Sequence, residues 1–202
     1  MTVRIILKPA GAVTILLAFF LITAVAVRRQ TAGAETLPSR ETVPATAVGG
    51  NLLADSNINS TAWGMIKTAG EAHAEAVPGP NADLPDARRF IVTLASRTGS
   101  WDIQCYQPLQ QPLKRGSHVR LTFWARSPQH CPLTAVIEQV NEPYNRYMAK
   151  DFILSPQWQQ YVADAVQNAD VPSDLAKLDL QLAQKEGTID IAGVSLRAIT
   201  PS

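Results

Sequence analysis

Few residues of this chain have the types and spacing that catalysis requires. Asp102 and Glu138 could act as the two carboxylates of a glycoside hydrolase, but nothing in the sequence fixes their separation. A Ser/His/Asp triad would need one of three histidines, and none lies near a nucleophile elbow. His73 and His118 have no partner at metal-ligand spacing, so each is predicted to be a surface histidine. The sequence therefore predicts no enzyme, no catalytic residue and no metal site.

Side chains that could bind a ligand occur in the run WDIQCY, where polar and apolar residues alternate as in a half-buried strand. Its outward phase presents Asp102, Gln104 and Tyr106. Gln104 and Tyr106 form the strongest candidate pair, although a solvated outer sheet face explains them almost equally well. Trp101 falls on the apolar phase and is predicted to pack in the core.

Other predicted strands and loops supply further candidates of the same kind. Glu138 and Gln181 have the same potential on their own strands. Tyr144 and Tyr147 lie in a loop-to-strand segment that would suit the rim of a binding site. Trp63 follows a polar turn and is either a stacking residue or a lid on the core.

The elements that must position these residues are short strands. About nine or ten follow one another at roughly 8–12-residue spacing, and no stretch shows a sustained helical period. Each strand has one apolar face, so two sheets can pack together, and we predict an all-β sandwich of the jelly-roll type. Thr68–Pro85 is predicted to be a loop and Gly193 a bulge. The predicted strands include Arg88–Ser96, Trp101–Tyr106, Val119–Arg126, Pro132–Asn141, Arg146–Leu154, Trp158–Val166, Leu175–Ala183 and Thr188–Leu196.

The N-terminus is predicted to be a targeting or anchoring segment. The apolar run Gly11–Val27 has basic residues on both sides and is just long enough to span a membrane. An A-x-A pattern follows it, so a cleaved signal peptide remains an alternative to a membrane anchor. We predict an anchor or signal peptide over residues 1–29, a flexible linker over 30–50 and a β-sandwich domain over 51–202.

Composition and charge narrow the class of protein. The chain is 46% hydrophobic and 17% charged, which suits a packed core. Its net charge is only +1, so a basic footprint for nucleic acid is absent. From the N-terminal apolar segment we expect an exported domain, periplasmic or at the cell surface.

The two cysteines, Cys105 and Cys131, are interpreted through this expected compartment. An even pair in an exported domain is predicted to form a disulfide, which would contribute roughly 2–4 kcal/mol. Two buried free thiols are the alternative, because Cys105 falls on the apolar phase of its strand.

The order of landmarks along the domain resembles carbohydrate-binding modules of the families 4, 9 and 22 group. These landmarks are Asn51-Leu52-Leu53, Trp63, Trp101-Asp102-Ile103-Gln104, Lys114-Arg115-Gly116, Leu121-Thr122-Phe123-Trp124-Ala125-Arg126, Trp158-Gln159-Gln160-Tyr161, Gly187-Thr188-Ile189 and Gly193-Val194-Ser195-Leu196. The resemblance covers Asn51 to about Thr200. It implies a galactose-binding-like jelly roll that binds glycans without catalysis.

The resemblance also implies which residues bind sugar. Aromatic rings stack on the apolar faces of pyranoses, and planar polar side chains grip the hydroxyls. Relatives also carry a structural calcium ion, but Ile58-Asn59 and Ala192-Gly193 replace residues that such a site often uses, so calcium is left open and no other cofactor is expected. The predicted carbohydrate-binding residues are Trp63, Asp102, Gln104, Tyr106, Glu138, Tyr144, Tyr147 and Gln181.

The sequence thus predicts an exported, membrane-tethered module that holds an envelope or extracellular polysaccharide. The rival interpretation is a docking domain for an envelope protein, which would use the same sandwich without affinity for sugar. Exposed aromatic residues and amides in a groove would favour the first, and a flat apolar patch the second.

Overall fold

A computed structural model describes residues 47–200, and all structural statements below concern this part of the chain. The predicted N-terminal anchor or signal peptide and most of the predicted linker lie outside the described residues. Within 47–200, the helical content is two single-turn 3-10 helices, Ser100–Asp102 and Ser173–Leu175. No helix in this part is long and apolar enough to span a membrane.

Eleven strands are found in the described residues, and every pairing between them is antiparallel. They are β1 (Ala47–Asn51), β2 (Gly64–Lys67), β3 (Glu71–Asn81), β4 (Leu84–Leu94), β5 (Ile103–Pro108), β6 (His118–Arg126), β7 (Pro132–Gln139), β8 (Arg146–Ile153), β9 (Gln159–Val166), β10 (Ala176–Gln181) and β11 (Gly187–Ile199).

The strands form two sheets. One has the order β3-β4-β11-β6-β9, with β1 added along β11, and the other has the order β2-β5-β10-β7-β8. The predicted all-β sandwich is therefore confirmed. Eight of the predicted strands are present with ends that differ by a few residues, as expected from fraying and edge pairing.

The core lies between the inward faces of the two sheets, as the period-two patterns predicted. On β6, all four apolar residues of the inward phase are fully buried. On β10, Leu178 and Leu180 are fully buried on the inward face, while the outward phase carries polar residues. This alternation fixes which side chains of β5, β7 and β10 point away from the core.

The stretch predicted to be a loop, Thr68–Pro85, contains the long strand β3, so that prediction is wrong. β3 lies at the edge of its sheet and pairs only with β4. Its Pro78 and Pro80 suggested a loop. An edge strand tolerates proline, because the amides on its outer side make no hydrogen bond to a neighbouring strand.

The predicted disulfide is also wrong. Cys105 and Cys131 are separate, fully buried thiols. Cys105 lies on β5, Cys131 immediately precedes β7, and β10 separates these two strands. Strands twice removed are about 10 Å apart, whereas a disulfide requires Cα atoms within about 7 Å.

Candidate functional site

A groove with a volume of about 540 Å³ lies on the outward face of the five-stranded sheet. Its apolar and aromatic lining comes from Ile66, Trp101, Val140 and Tyr144. Its polar lining comes from Thr68, Asp102, Gln104, Glu138, Arg146 and Lys177. The groove therefore combines flat apolar surfaces with charged and amide side chains, within the size range of small-ligand sites.

Two exposed aromatic residues form part of the groove lining. Trp101 is 45% exposed and Tyr144 is 54% exposed. Trp101 belongs to the turn Ser100–Asp102, and its ring lies so close to Gly99 that a side chain there would collide with it. Tyr144 has a positive φ of 52°, and its amide donates a hydrogen bond to the Asn141 carbonyl. Both rings are thus presented by tightly turned backbone.

Arg146 extends from the start of β8 towards Trp101. Its guanidinium carbon lies 5.7 Å from the centre of the Trp101 ring. Its Nε lies 3.6 Å from Glu138 Oε2, an ion pair longer than a hydrogen bond. Because the Arg146 side chain is 42% exposed, its N–H groups are accessible to a ligand in the groove.

Lys177 links the polar residues at the floor of the groove. Its ammonium donates a 2.7 Å hydrogen bond to Gln104 Oε1 and lies 3.3 Å from Glu138 Oε1. The same ammonium lies 3.0 Å from Asp179 Oδ2 and 5.2 Å from the centre of the Tyr106 ring. Lys177 is itself buried, so this cation acts mainly on its neighbours.

Asp179 lies beneath the groove and has an unusual environment. It is fully buried on the outward face of β10, where its partners are the Lys177 ammonium, 3.0 Å from Oδ2, and the Glu138 carboxyl group. Burial raises the pKa of Asp179 to about 7; Lys177 opposes this rise and Glu138 adds to it. Two buried carboxyl groups lie beside the Lys177 ammonium here, and burial favours a proton on Asp179.

Asp102, in the turn directly before β5, has the opposite environment. Its carboxylate accepts hydrogen bonds from the hydroxyls of Ser96, Thr68 and Thr98. These bonds, with a further one from the Gly99 amide, lower the pKa of Asp102 to about 2. Asp102 is therefore a permanently charged group whose oxygens are already engaged.

The structure brings together four of the eight predicted sugar-binding residues as groove lining: Asp102, Gln104, Glu138 and Tyr144. Tyr106 lies half-buried on the same face, in the space that Gly64 leaves free on β2; a Cβ there would be 2.6 Å from the Tyr106 ring.

The other three predicted residues do not line the groove. Gln181 faces the same side but is fully buried, with its Oε1 bonded to the Ser100 hydroxyl at 2.7 Å. Trp63 is buried in the core and donates its indole N–H to the Asp55 carbonyl. Tyr147 packs against the core. Of the two alternatives for Trp63, the structure therefore agrees with a residue that covers the core and not with one that stacks on a ligand in the groove.

Trp101, Lys177 and Arg146 line the groove, but the sequence did not predict them as binding residues. Trp101 was placed in the core by extending the β5 alternation backwards, but β5 begins at Ile103. The residue belongs to a 3-10 turn, where period two no longer applies. The turn signal Thr98-Gly99-Ser100 directly before it could have indicated this change.

The calcium site left open by the sequence does not fit the residues present. Ile58 and Ala192, which stand where relatives often use other residues, are both fully buried. Between residues 47 and 200, no group of three histidine, cysteine, aspartate or glutamate residues could hold a metal ion.

An aromatic-walled groove on one sheet of a β-sandwich is the arrangement of a carbohydrate-binding domain. Residues 50–183 match the family described as carbohydrate binding domain, families 4 and 9, and the chain belongs to this family. None of the curated proteins compared with the chain matches it.

Solved structures share the fold at low sequence identity. The second N-terminal cellulose-binding domain of Cellulomonas fimi β-1,4-glucanase C is 16% identical, with a TM-score of 0.58 over 77% of this chain and 99% of that one. The CBM22-1 xylan-binding domain from Paenibacillus barcinonensis is 13% identical, with a TM-score of 0.51 over 78% and 99%. A CBM4 structure is 18% identical, with a TM-score of 0.54 over 75% and 99%.

Proposed function

We propose that the groove binds a polysaccharide, with Trp101 and Tyr144 stacking on sugar rings. The observation that carries this proposal is the pairing of two exposed aromatic rings with a polar floor in one groove. Stacking on aromatic faces suits the C–H surfaces of pyranoses, and the exposed donors of Arg146 suit their hydroxyls.

We further propose that the domain binds without catalysis. A glycoside hydrolase needs one carboxyl group that donates a proton and a second that attacks or activates water. The oxygens of Asp102 are engaged by three hydroxyls, and Glu138 is paired with Lys177 and Arg146. Neither arrangement leaves a carboxyl group free for such a role.

Export and tethering complete the proposal. The apolar run at residues 11–27 and its basic flanks support an N-terminal anchor or signal peptide that directs the domain across the membrane. A module held there, in the periplasm or at the cell surface, would keep an envelope or extracellular polysaccharide close to the inner membrane. Fractionation of cells expressing the full-length chain tests this part separately.

Glycan binding is tested by affinity electrophoresis of the full-length chain in gels containing xylan, hydroxyethyl cellulose or β-1,3-glucan. We expect one of these polysaccharides to retard the wild-type chain. Trp101→Ala and Tyr144→Ala should each weaken binding roughly tenfold or more, because aromatic rings that become buried on binding dominate recognition. Trp124→Ala is the matched control, since Trp124 lies on the outward face of the other sheet.

Melting temperatures of the variants separate loss of a ligand contact from loss of the fold. A folded wild-type chain that none of these gels retards, and that binds nothing on a broad glycan array, would contradict the proposal. The docking-domain interpretation would then take its place.

A further inference from the structure

Two hydrogen bonds connect the buried floor of the groove to its Trp101 wall. Lys177 Nζ donates to Gln104 Oε1 at 2.7 Å, and Gln104 Nε2 donates to the Trp101 carbonyl at 2.5 Å. Both ends of the Gln104 amide are therefore engaged. The amide fixes the backbone of the turn that carries the Trp101 ring, and Lys177 fixes the amide.

The ammonium of Lys177 has a competing acceptor. Asp179 Oδ2 is 3.0 Å away, so the ammonium lies between the Gln104 amide oxygen and this carboxyl group. The share that each acceptor receives depends on the charge of the carboxyl group. A fully ionised Asp179 would strengthen its own contact with the ammonium at the expense of the bond to Gln104.

Charged and titratable groups from each neighbouring strand face Asp179. Glu138 extends from β7, Arg146 approaches Glu138 from β8, and Tyr106 stands opposite Asp179 on β5. With a proton on Asp179, the cations of Lys177 and Arg146 face the single carboxylate of Glu138, and Lys177 can donate its hydrogen bond to Gln104. Without that proton, two cations face two carboxylates, and Asp179 becomes the nearest anion to Lys177.

We propose that Lys177 positions Trp101 through Gln104, and that loss of the proton from Asp179 weakens this positioning and with it glycan binding. The proposal rests on the proposed function of the groove. Burial holds the pKa of Asp179 near neutrality, at about 7, so the change falls within the range that cellular compartments span.

The test measures affinity electrophoresis of the full-length chain from about pH 5.5 to about pH 8.5. The probe is whichever of xylan, hydroxyethyl cellulose and β-1,3-glucan retards the wild type. We expect the wild-type affinity to fall roughly three- to tenfold as the pH rises, the scale of one hydrogen bond. Asp179→Asn, which keeps the shape of the protonated side chain, should abolish this dependence, and Asp164→Asn on the other sheet should preserve it.

A second measurement needs no glycan. The indole N–H signal of Trp101 is followed by NMR against pH and assigned with Trp101→Phe. We expect it to shift with a midpoint near the pKa of Asp179 in the wild type, and to stop doing so in Asp179→Asn and Lys177→Met.

These readouts separate the two proposals. If no polysaccharide binds but the Trp101 signal titrates, the proposed function fails and the positioning by Lys177 stands. If a polysaccharide binds with equal affinity across the range, or Asp179→Asn keeps the wild-type profile, the role of Lys177 and Asp179 is overturned while glycan binding stands.

Discussion

Two aspartates at the groove show how strongly local partners decide the chemistry of a residue. Both are buried; Asp102 lines the groove, and Asp179 lies beside Lys177 at its floor. Three hydroxyls engage Asp102 and lower its pKa, whereas burial raises the pKa of Asp179 although the Lys177 ammonium opposes this rise. The first is therefore charged in the folded protein at neutral pH, and the second is poised between two states.

This difference predicts how Asp179→Asn changes stability with pH. The folded pKa of Asp179 lies above its ordinary value of 3.8, so its contribution to stability is complete below that value. The contribution is lost as the pH rises through about 7. Because asparagine does not titrate, the stability of Asp179→Asn relative to wild type should grow by about 4 kcal/mol across this range.

Urea denaturation of both proteins at a series of pH values measures the effect. Asp164→Asn is the matched control with the opposite sign, because the Arg120 hydrogen bond lowers the pKa of Asp164. That variant should be less stable than wild type at neutral pH. A constant difference between Asp179→Asn and wild type at all pH values would contradict the prediction.

The sequence allowed part of the site to be predicted. Period two correctly placed Gln104 and Glu138 on an outward face, because both lie within regular strands. Lys177 could not be recognised from the pattern, since an outward lysine is usually solvated. Lys177 can be buried because it contacts Gln104 and Glu138. These two residues lie on β5 and β7, and the sequence does not show that these strands flank β10.

At the scale of elements, alternation predicted central strands better than edge strands. β6 lies between β11 and β9, and its two faces differ clearly in polarity. β3 lies at a sheet edge, contains two prolines and has Ala72 as its single buried residue, so its sequence lacked the apolar phase that indicates a strand. The signal depends on burial, and an edge strand has less of it.

The bulge predicted at Gly193 is confirmed and gives a prediction about this residue. The register between β11 and β6 shifts between Ala192 and Ser195, and Gly193 has a φ of +56°. A Cβ there would be 2.9 Å from the Leu84 side chain. Gly193→Ala should therefore destabilise the domain by about 2–3 kcal/mol, through backbone strain and displacement of Leu84.

Gly116→Ala separates the two contributions. Gly116 also has a positive φ, of +81°, but a Cβ there would meet no atom within 4 Å. This variant should lose only the part due to backbone strain, about 1–2 kcal/mol. Thermal denaturation of both variants compares them, and equal losses would show that Leu84 accommodates the extra methyl group without cost.

At the scale of the whole molecule, the sheet order explains why the compartment expected from the sequence did not predict the state of the two cysteines. Export predicted a disulfide, but pairing depends on which strands are neighbours, and a sequence does not state this. β10 separates the strand of Cys105 from the strand that Cys131 precedes. Burial also raises the pKa of the Cys105 thiol to about 12, which disfavours the thiolate that disulfide exchange requires.

The stability of the folded chain should therefore not depend on a reductant. We expect the same melting temperature with and without dithiothreitol, because no covalent loop constrains the unfolded state. A thiol reagent should find both cysteines unreactive in the folded protein and both reactive in denaturant without prior reduction, since both thiols are buried and free. A melting temperature that falls on reduction, together with missing thiols in denaturant, would show that Cys105 and Cys131 form a disulfide and would contradict this sheet order.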